Sequence, residues 1–313
     1  MSEETGSLNP RPRLYSMLRW CFVFLCFYFI FALVNQFEIE AWLERTSRGY
    51  LLLGLFVHFL SIICALRIWQ ICLSQLEGDV PTIGEVITST AYMVLGKYLP
   101  GKVFGMVARA HQLKDRYNGN ELILTTLTEQ LSILQACLSV LFLCGAFMVT
   151  NSIMALILFA LGLVLALRKV GVNGKLYRTI IKVLLWLRLD LKIPGNFVSN
   201  PRIVTYASIS LLFNALTFCL VCLSVLNALP VSPVFAVFCM VGAFMAGYVT
   251  VITPAGLGVR EISLVTLLAT QIPTDDAIFI ALVTRVVMVV GDAILSSLAI
   301  FAGVVYGCLR VSK

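Results

Sequence analysis

Charged side chains stand inside long apolar runs of this sequence, where charge is expensive. Glu129 lies in one such run with Thr125, Ser132, Ala136 and Ser139, a small and polar stripe at helical three-to-four spacing. Arg285 and Asp292 lie seven apart in another, hence on one helix face, and Ser296 continues that face. Seven residues rise about 10 Å along a helix, too far for direct pairing, so each needs a partner from elsewhere; Glu261 suits Arg285. A charge at the centre of a bilayer costs ~2.5–3.5 kcal/mol on insertion scales. Such residues therefore mark either a functional path or a structural ion pair between helices. Asn214 follows Tyr206 and Ser210 at i, i+4 and i+8. His58 reads as a satisfied polar residue and Arg67 as a cation snorkelling near the inner face.

Two Pro/Gly breaks stand next to cations. Tyr98-Leu99-Pro100-Gly101-Lys102 precedes a helical stretch carrying Arg109, and Thr253-Pro254-Ala255-Gly256-Leu257-Gly258 runs into Arg260-Glu261. Non-helical backbone survives at membrane depth only inside protein or beside water, because its N–H and C=O groups need partners. A helix starting at such a break presents free N–H groups and a partial positive charge. With Lys102 and Arg109, or with Arg260, this is chemistry suited to an anionic group such as a lipid phosphate. The alternative is a pair of ordinary interfacial loops with snorkelling cations. Paired breaks in two halves of a chain also suit an inverted pseudo-repeat of the kind found in transporters.

The elements that must position these residues follow from composition. Of 313 residues, 60% are hydrophobic and 12% charged, about half the ~25% charge of a soluble domain. The apolar residues fall in runs of about 20, the length of a helix crossing ~30 Å of hydrocarbon, whereas a β-barrel needs alternating segments of about 10. The expected fold is all-α: a polytopic helical membrane protein with about seven spans and two broken or re-entrant segments.

Residues 1–15 read as a disordered cytoplasmic tail, 16–308 as one transmembrane domain and 309–313 as a short tail. Spans are predicted near Ser16–Val34, Tyr50–Leu73, Glu121–Val149, Ile153–Leu167, Ile203–Leu226, Val234–Ile252 and Ala277–Tyr306. Between them, 168–192 carries seven basic residues against Asp190, with Leu176, Ile180, Val183, Leu184 and Leu187 at helical spacing: a basic amphipathic helix on the cytoplasmic face. Both termini are predicted to be cytoplasmic.

The net charge of +7 is clustered between apolar runs without aromatic interleaving, which fits the positive-inside bias and not nucleic-acid binding. The ten cysteines lie mostly within apolar stretches, and Cys219-x-x-Cys222 has no His or second pair beside it. Neither disulfides, a metal nor a cofactor is expected.

The segments Leu99-Pro100-Gly101-Lys102-Val103-x-Gly105 with Arg109, and Pro254-x-Gly256-x-Gly258-Val259-Arg260-Glu261, together with Arg285, resemble the membrane domain of lysylphosphatidylglycerol synthase/flippase proteins. That resemblance covers essentially the whole layout. The family's second motif usually reads Pro-Gly-Gly, and here Ala255 takes the middle position. The resemblance implies re-entrant helices around a cavity and translocation of an anionic phospholipid or a lipid-linked glycan precursor across the cytoplasmic (inner) membrane. Lys102, Arg109 and Arg260 would hold the headgroup, Glu129, Glu261 and Arg285 would line or gate the path, and Pro254, Gly256 and Gly258 would shape the turn. With no aminoacyl-transferase domain after Lys313, the chain is expected not to make lysylphosphatidylglycerol by itself. No P-loop pattern is present, so the expected energy source is an ion gradient or the lipid gradient.

The alternative is a membrane-embedded glycosyltransferase or an accessory subunit in cell-surface polysaccharide or glycolipid synthesis. For the former, Asp275-Asp276 would be the loop carboxylates, although a capped loop accounts for that pair better. Membrane lipids, with lipid-linked glycans among them, are the expected partners; a second copy or a biosynthetic enzyme stays open.

Overall fold

The computed structural model describes residues 44, 46–76, 81–98, 103–114, 116–167, 200–250 and 254–311. The N-terminal tail 1–15, the first predicted span, residues 99–102 with Pro100, Gly101 and Lys102, and the basic segment 168–192 lie outside the described residues. Among the described residues the secondary structure is helical: α1 (Arg48–Leu73), α2 (Ile83–Gly96), α3 (Val103–Gln112), α4 (Gly119–Met148), α5 (Ser152–Leu167), α6 (Pro201–Leu226), α7 (Pro233–Val249), α8 (Val259–Leu268) and α9 (Thr274–Val311). A 3₁₀ turn, Pro254–Gly256, precedes α8.

Four of these helices are long and apolar enough to cross a membrane: Arg48–Leu73, Glu121–Met148, Pro201–Leu226 and Thr274–Ala302. The expected count of about seven spans is thus met only in part. The helices predicted at 153–167 and 234–252 are shorter, with 16 and 17 residues, or about 24–26 Å at 1.5 Å per residue. Each has one end fixed by a local feature. Asn151 Oδ1 accepts from the backbone N–H groups of Ile153 (3.0 Å) and Met154, fixing the start of α5. Thr250 leaves helical geometry at ψ 99 and ends α7. Helix α9 continues through Val311, past the end predicted at Tyr306, and Asp275 and Asp276 occupy its first turn, where the helix dipole favours them.

Large apolar side chains cover the outside, and several charged or polar ones are buried among apolar neighbours. Phe147 and Ile153 are 73% and 72% exposed, whereas His58, Arg109, Glu129 and Asp292 are buried. A surface of that kind suits lipid and not water. Helices α1 and α6 pack most extensively. Backbone carbonyls of α1 accept from small hydroxyls of α6, Thr217 Oγ1 to Gly54 O (3.2 Å) and Ser210 Oγ to Ser61 O (3.2 Å). In an apolar medium such interhelical hydrogen bonds supply the adhesion that the hydrophobic effect does not. Cys222 and Cys239 are buried in the core shared by α6 and α7.

Two helical hairpins flank this frame. Helix α3 folds back on α2, where a Cβ at Gly105 would stand 3.0 Å from Met93 O. In the second, the break after α7 folds back on α7 itself. A Cβ at Gly256 would lie 2.7 Å from Gly247 Cα, so only glycine permits the approach. Helix α9 packs on α2, α8 and α1 and thereby touches both hairpins.

Candidate functional site

In the first hairpin, Arg109 projects from α3 into the protein and is 1% exposed. Its Nη1 donates to Glu129 Oε2 at 2.5 Å and its Nε to Ser89 O at 3.3 Å. The guanidinium carbon lies 3.7 Å from the ring centroid of Trp69, whose Nε1–H donates to Ser89 Oγ at 2.8 Å. Gln112 adds a hydrogen bond to Thr88 Oγ1. Charge, planar stacking and hydrogen bonds all converge, giving a closed ion pair with aromatic support. Helix α2 starts with a capping box, Thr82 N–H to Glu85 Oε2 at 2.8 Å, and Arg116 Nε lies 3.1 Å from Glu85 Oε1.

The second hairpin is different. Pro254 opens the turn, Ala255 takes left-handed geometry (φ 49, ψ 22), and Gly256 and Gly258 have φ 71 and 82. Glu261, in the first turn of α8, accepts from Gly258 N–H at 2.7 Å, so the helix end is capped by a carboxylate from its own chain. Glu261 Oε1 faces Arg285 Nε of α9 at 3.4 Å without a hydrogen bond between them, while Arg285 Nη2 donates to Ala255 O at 3.3 Å. Arg260 belongs to none of the ion pairs among the described residues. Its neighbours are soft: Met288 Sδ at 3.0 Å, Met240 Sδ at 3.8 Å and the Phe244 ring centroid at 5.4 Å. A small cleft, with room for about one water molecule, is lined by Arg260, Glu261, Leu264, Ala281, Thr284, Arg285 and Met288. Two guanidiniums against one carboxylate leave it one positive charge in excess.

Asp292, one turn-pair beyond Arg285 on α9, is the centre of a third cluster. Its Oδ2 accepts from Tyr98 Oη at 2.5 Å and faces Lys97 Nζ at 2.6 Å, and its Oδ1 lies 3.2 Å from His58 Nε2. His58 Nδ1 lies 3.2 Å from Asn214 Oδ1. The Tyr98 ring also lies 5.7 Å from the Arg285 guanidinium, which joins this cluster to the cleft.

The sequence model of the lysylphosphatidylglycerol synthase TM region matches residues 16–296. The chain belongs to that family. Among curated proteins no match is found. The protein is a multi-pass helical membrane protein, as its family and its long apolar helices require.

Within this member of the lysylphosphatidylglycerol synthase TM family, the residues singled out in the sequence do not form one site. Arg260, Glu261 and Arg285 meet at the cleft, with Pro254, Gly256 and Gly258 shaping the turn beside it. Arg109 and Glu129 pair with each other and do not line the cleft, and Lys102 lies outside the described residues. Ala255, where the family motif usually has glycine, keeps the glycine-type backbone, which costs an L-residue roughly 1–2 kcal/mol.

Three participants were not foreseen. Lys97 has no place in the sequence reading, Tyr98 enters it only as the flank of the first break, and His58 reads there as a satisfied polar residue. Asp292 is 234 positions from His58 and 194 from Tyr98, a separation that helical periodicity does not bridge. The one available signal was that buried Asp292 needed a partner.

Proposed function

We propose that the chain is a lipid flippase that carries an anionic phospholipid or lipid-linked glycan precursor across the cytoplasmic membrane, acting by translocation and not by catalysis. The observation carrying this reading is Arg260, a cation held in an open cleft at a helix break with methionine sulfurs and an aromatic ring for company. A buried charge is normally paired, because desolvation is costly otherwise. An unpaired guanidinium beside a second one is suited to bidentate recognition of a phosphate. Membership of a lipid-related membrane family supports the same reading.

The two hairpins act in this proposal as re-entrant elements of a pseudo-repeat, each too short to cross by a single helix. Helices of 14 and 10 residues make the first, and 17 and 10 the second. Both termini face the cytoplasm. The enzyme alternative draws no support from Asp275 and Asp276, which serve the start of α9.

The test is reconstitution into liposomes containing a fluorescent phosphatidylglycerol whose outer-leaflet signal is quenched chemically. Wild-type protein exposes the inner-leaflet pool to the quencher, and Arg260→Ala and Glu261→Gln slow that exposure at least tenfold. Equal rates in wild type and both variants would remove the cleft from the path, and turnover of a sugar-nucleotide donor by the purified protein would favour the enzyme reading.

A further inference from the structure

We infer that His58 and Asp292 form a buried proton-binding site whose occupancy strengthens the hold of the Arg260–Arg285 cleft on an anionic headgroup. The proton is required by hydrogen-bond roles alone. Asn214 Nδ2 donates to Ser210 O at 2.8 Å, which fixes the amide so that Oδ1 faces His58 Nδ1. Oδ1 only accepts, so Nδ1 carries a hydrogen. A neutral imidazole protonated there has a bare lone pair on Nε2, and that lone pair would face the Asp292 Oδ1 acceptor at 3.2 Å. Two acceptors in contact in a buried site repel. One further proton, lying between Nε2 and Oδ1, resolves the conflict.

The position is built for this contact. His58 and Asp292 are 5% and 2% exposed. A Cβ at Gly291 would lie 2.6 Å from His58 Cδ2, so glycine makes the space for the ring. Lys97, whose side chain is 40% exposed, links Asp292 toward the outside of the bundle. The titratable and charged groups around the pair are Lys97 and Tyr98 after α2, Arg285 on α9 and Arg260 on α8; α6 contributes the uncharged Asn214.

When the shared proton leaves to water, Asp292 keeps a full negative charge opposite a neutral His58, and the cluster loses one positive charge. Tyr98 connects that change to Arg285. Asp292 stands seven residues along α9 from Arg285, a rise of about 10 Å, and at about that distance with an effective dielectric near 20 the added charge changes anion affinity by on the order of tenfold. Proton and headgroup therefore favour each other's binding, and by linkage the effect is reciprocal. This gives an ion gradient a point of purchase on the lipid. The coupling rests on the flippase reading; the proton site does not.

The chain contains two histidines, His58 and His111, so selective ¹⁵N-histidine labelling of the full protein in micelles gives two ring spin systems, assigned with His111→Gln. The expected result is a His58 ring with hydrogens on both nitrogens that loses the Nε2 hydrogen at high pH. In Asp292→Asn the ring is neutral with its hydrogen on Nδ1 throughout. A wild-type His58 bearing its hydrogen on Nε2 alone at every pH overturns the site. Adding short-chain phosphatidylglycerol, compared with phosphatidylcholine, tightens proton binding at His58 about tenfold, and Arg260→Ala abolishes the difference. An equal response to both lipids overturns the coupling and leaves the proton site standing. In liposomes, absence of lipid movement at any pH would defeat the flippase reading without touching the spectroscopic result.

Discussion

Arg109 and Arg260 each lie in the ten-residue helix that closes their hairpin, Arg109 in its last turn and Arg260 in its first, and they meet opposite surroundings. Arg109 is enclosed by Glu129, Ser89 and Trp69, whereas Arg260 borders an open cleft among Met240, Met288 and Phe244. In the first hairpin the charge has been used up in holding α3 to α4. In the second it is left available. A likeness of pattern between two halves of a chain therefore does not imply a likeness of role. The number of carboxylates within reach decides it.

The sharpest way to break this contrast is to strand the enclosed cation. Glu129→Ala leaves Arg109 buried and unpaired and is expected to cost about 3–5 kcal/mol, read as a lowered midpoint of thermal unfolding in micelles. A change below about 1 kcal/mol would mean that Arg109 is solvated and the two hairpins are alike. Gly256→Ala comes next, because the new methyl meets the Gly247 backbone and the residue is held at φ 71. Overpacking and left-handed strain together predict a loss of roughly 2–4 kcal/mol by the same measurement.

A matched pair of substitutions sharpens the comparison further. Arg109→Met is expected to destabilise by about 3 kcal/mol, since it abandons Glu129 in the interior. Arg260→Met leaves no carboxylate behind and is expected to stay within about 1 kcal/mol of wild type, while lipid movement falls. The smallest effect is at Ala255. Replacing it with glycine relieves roughly 1–2 kcal/mol of left-handed strain and concedes about 0.4–1 kcal/mol of unfolded-chain entropy. A net gain of about 0.5 kcal/mol should appear as a small rise in midpoint.

The long helices were legible because a run of apolar residues states its own length. The predicted start of the last helix, Ala277, lies three residues from the observed Thr274, and the predicted partnership of Glu261 with Arg285 is present. The site was less legible. Periodicity shows which side chains share a face but not which helix that face meets. Glu129 is visible as a charge inside an apolar run and Arg109 as a cation after the first break, yet nothing local says that they satisfy one another. Trp69 and Ser89, which complete that enclosure, carried no signal beyond being an aromatic and a small residue in apolar helices.

Gly291 makes a different kind of marker from the charged residues. Its missing side chain leaves room for the His58 ring beside α9, since a methyl there would overlap Cδ2. A histidine and an aspartate at these two positions are therefore insufficient to build the contact; the vacancy between them must be inherited as well. Any relative with a larger residue at this point would have to seat its histidine elsewhere, and a designer transplanting the pair into another bundle would need to carry three positions, not two.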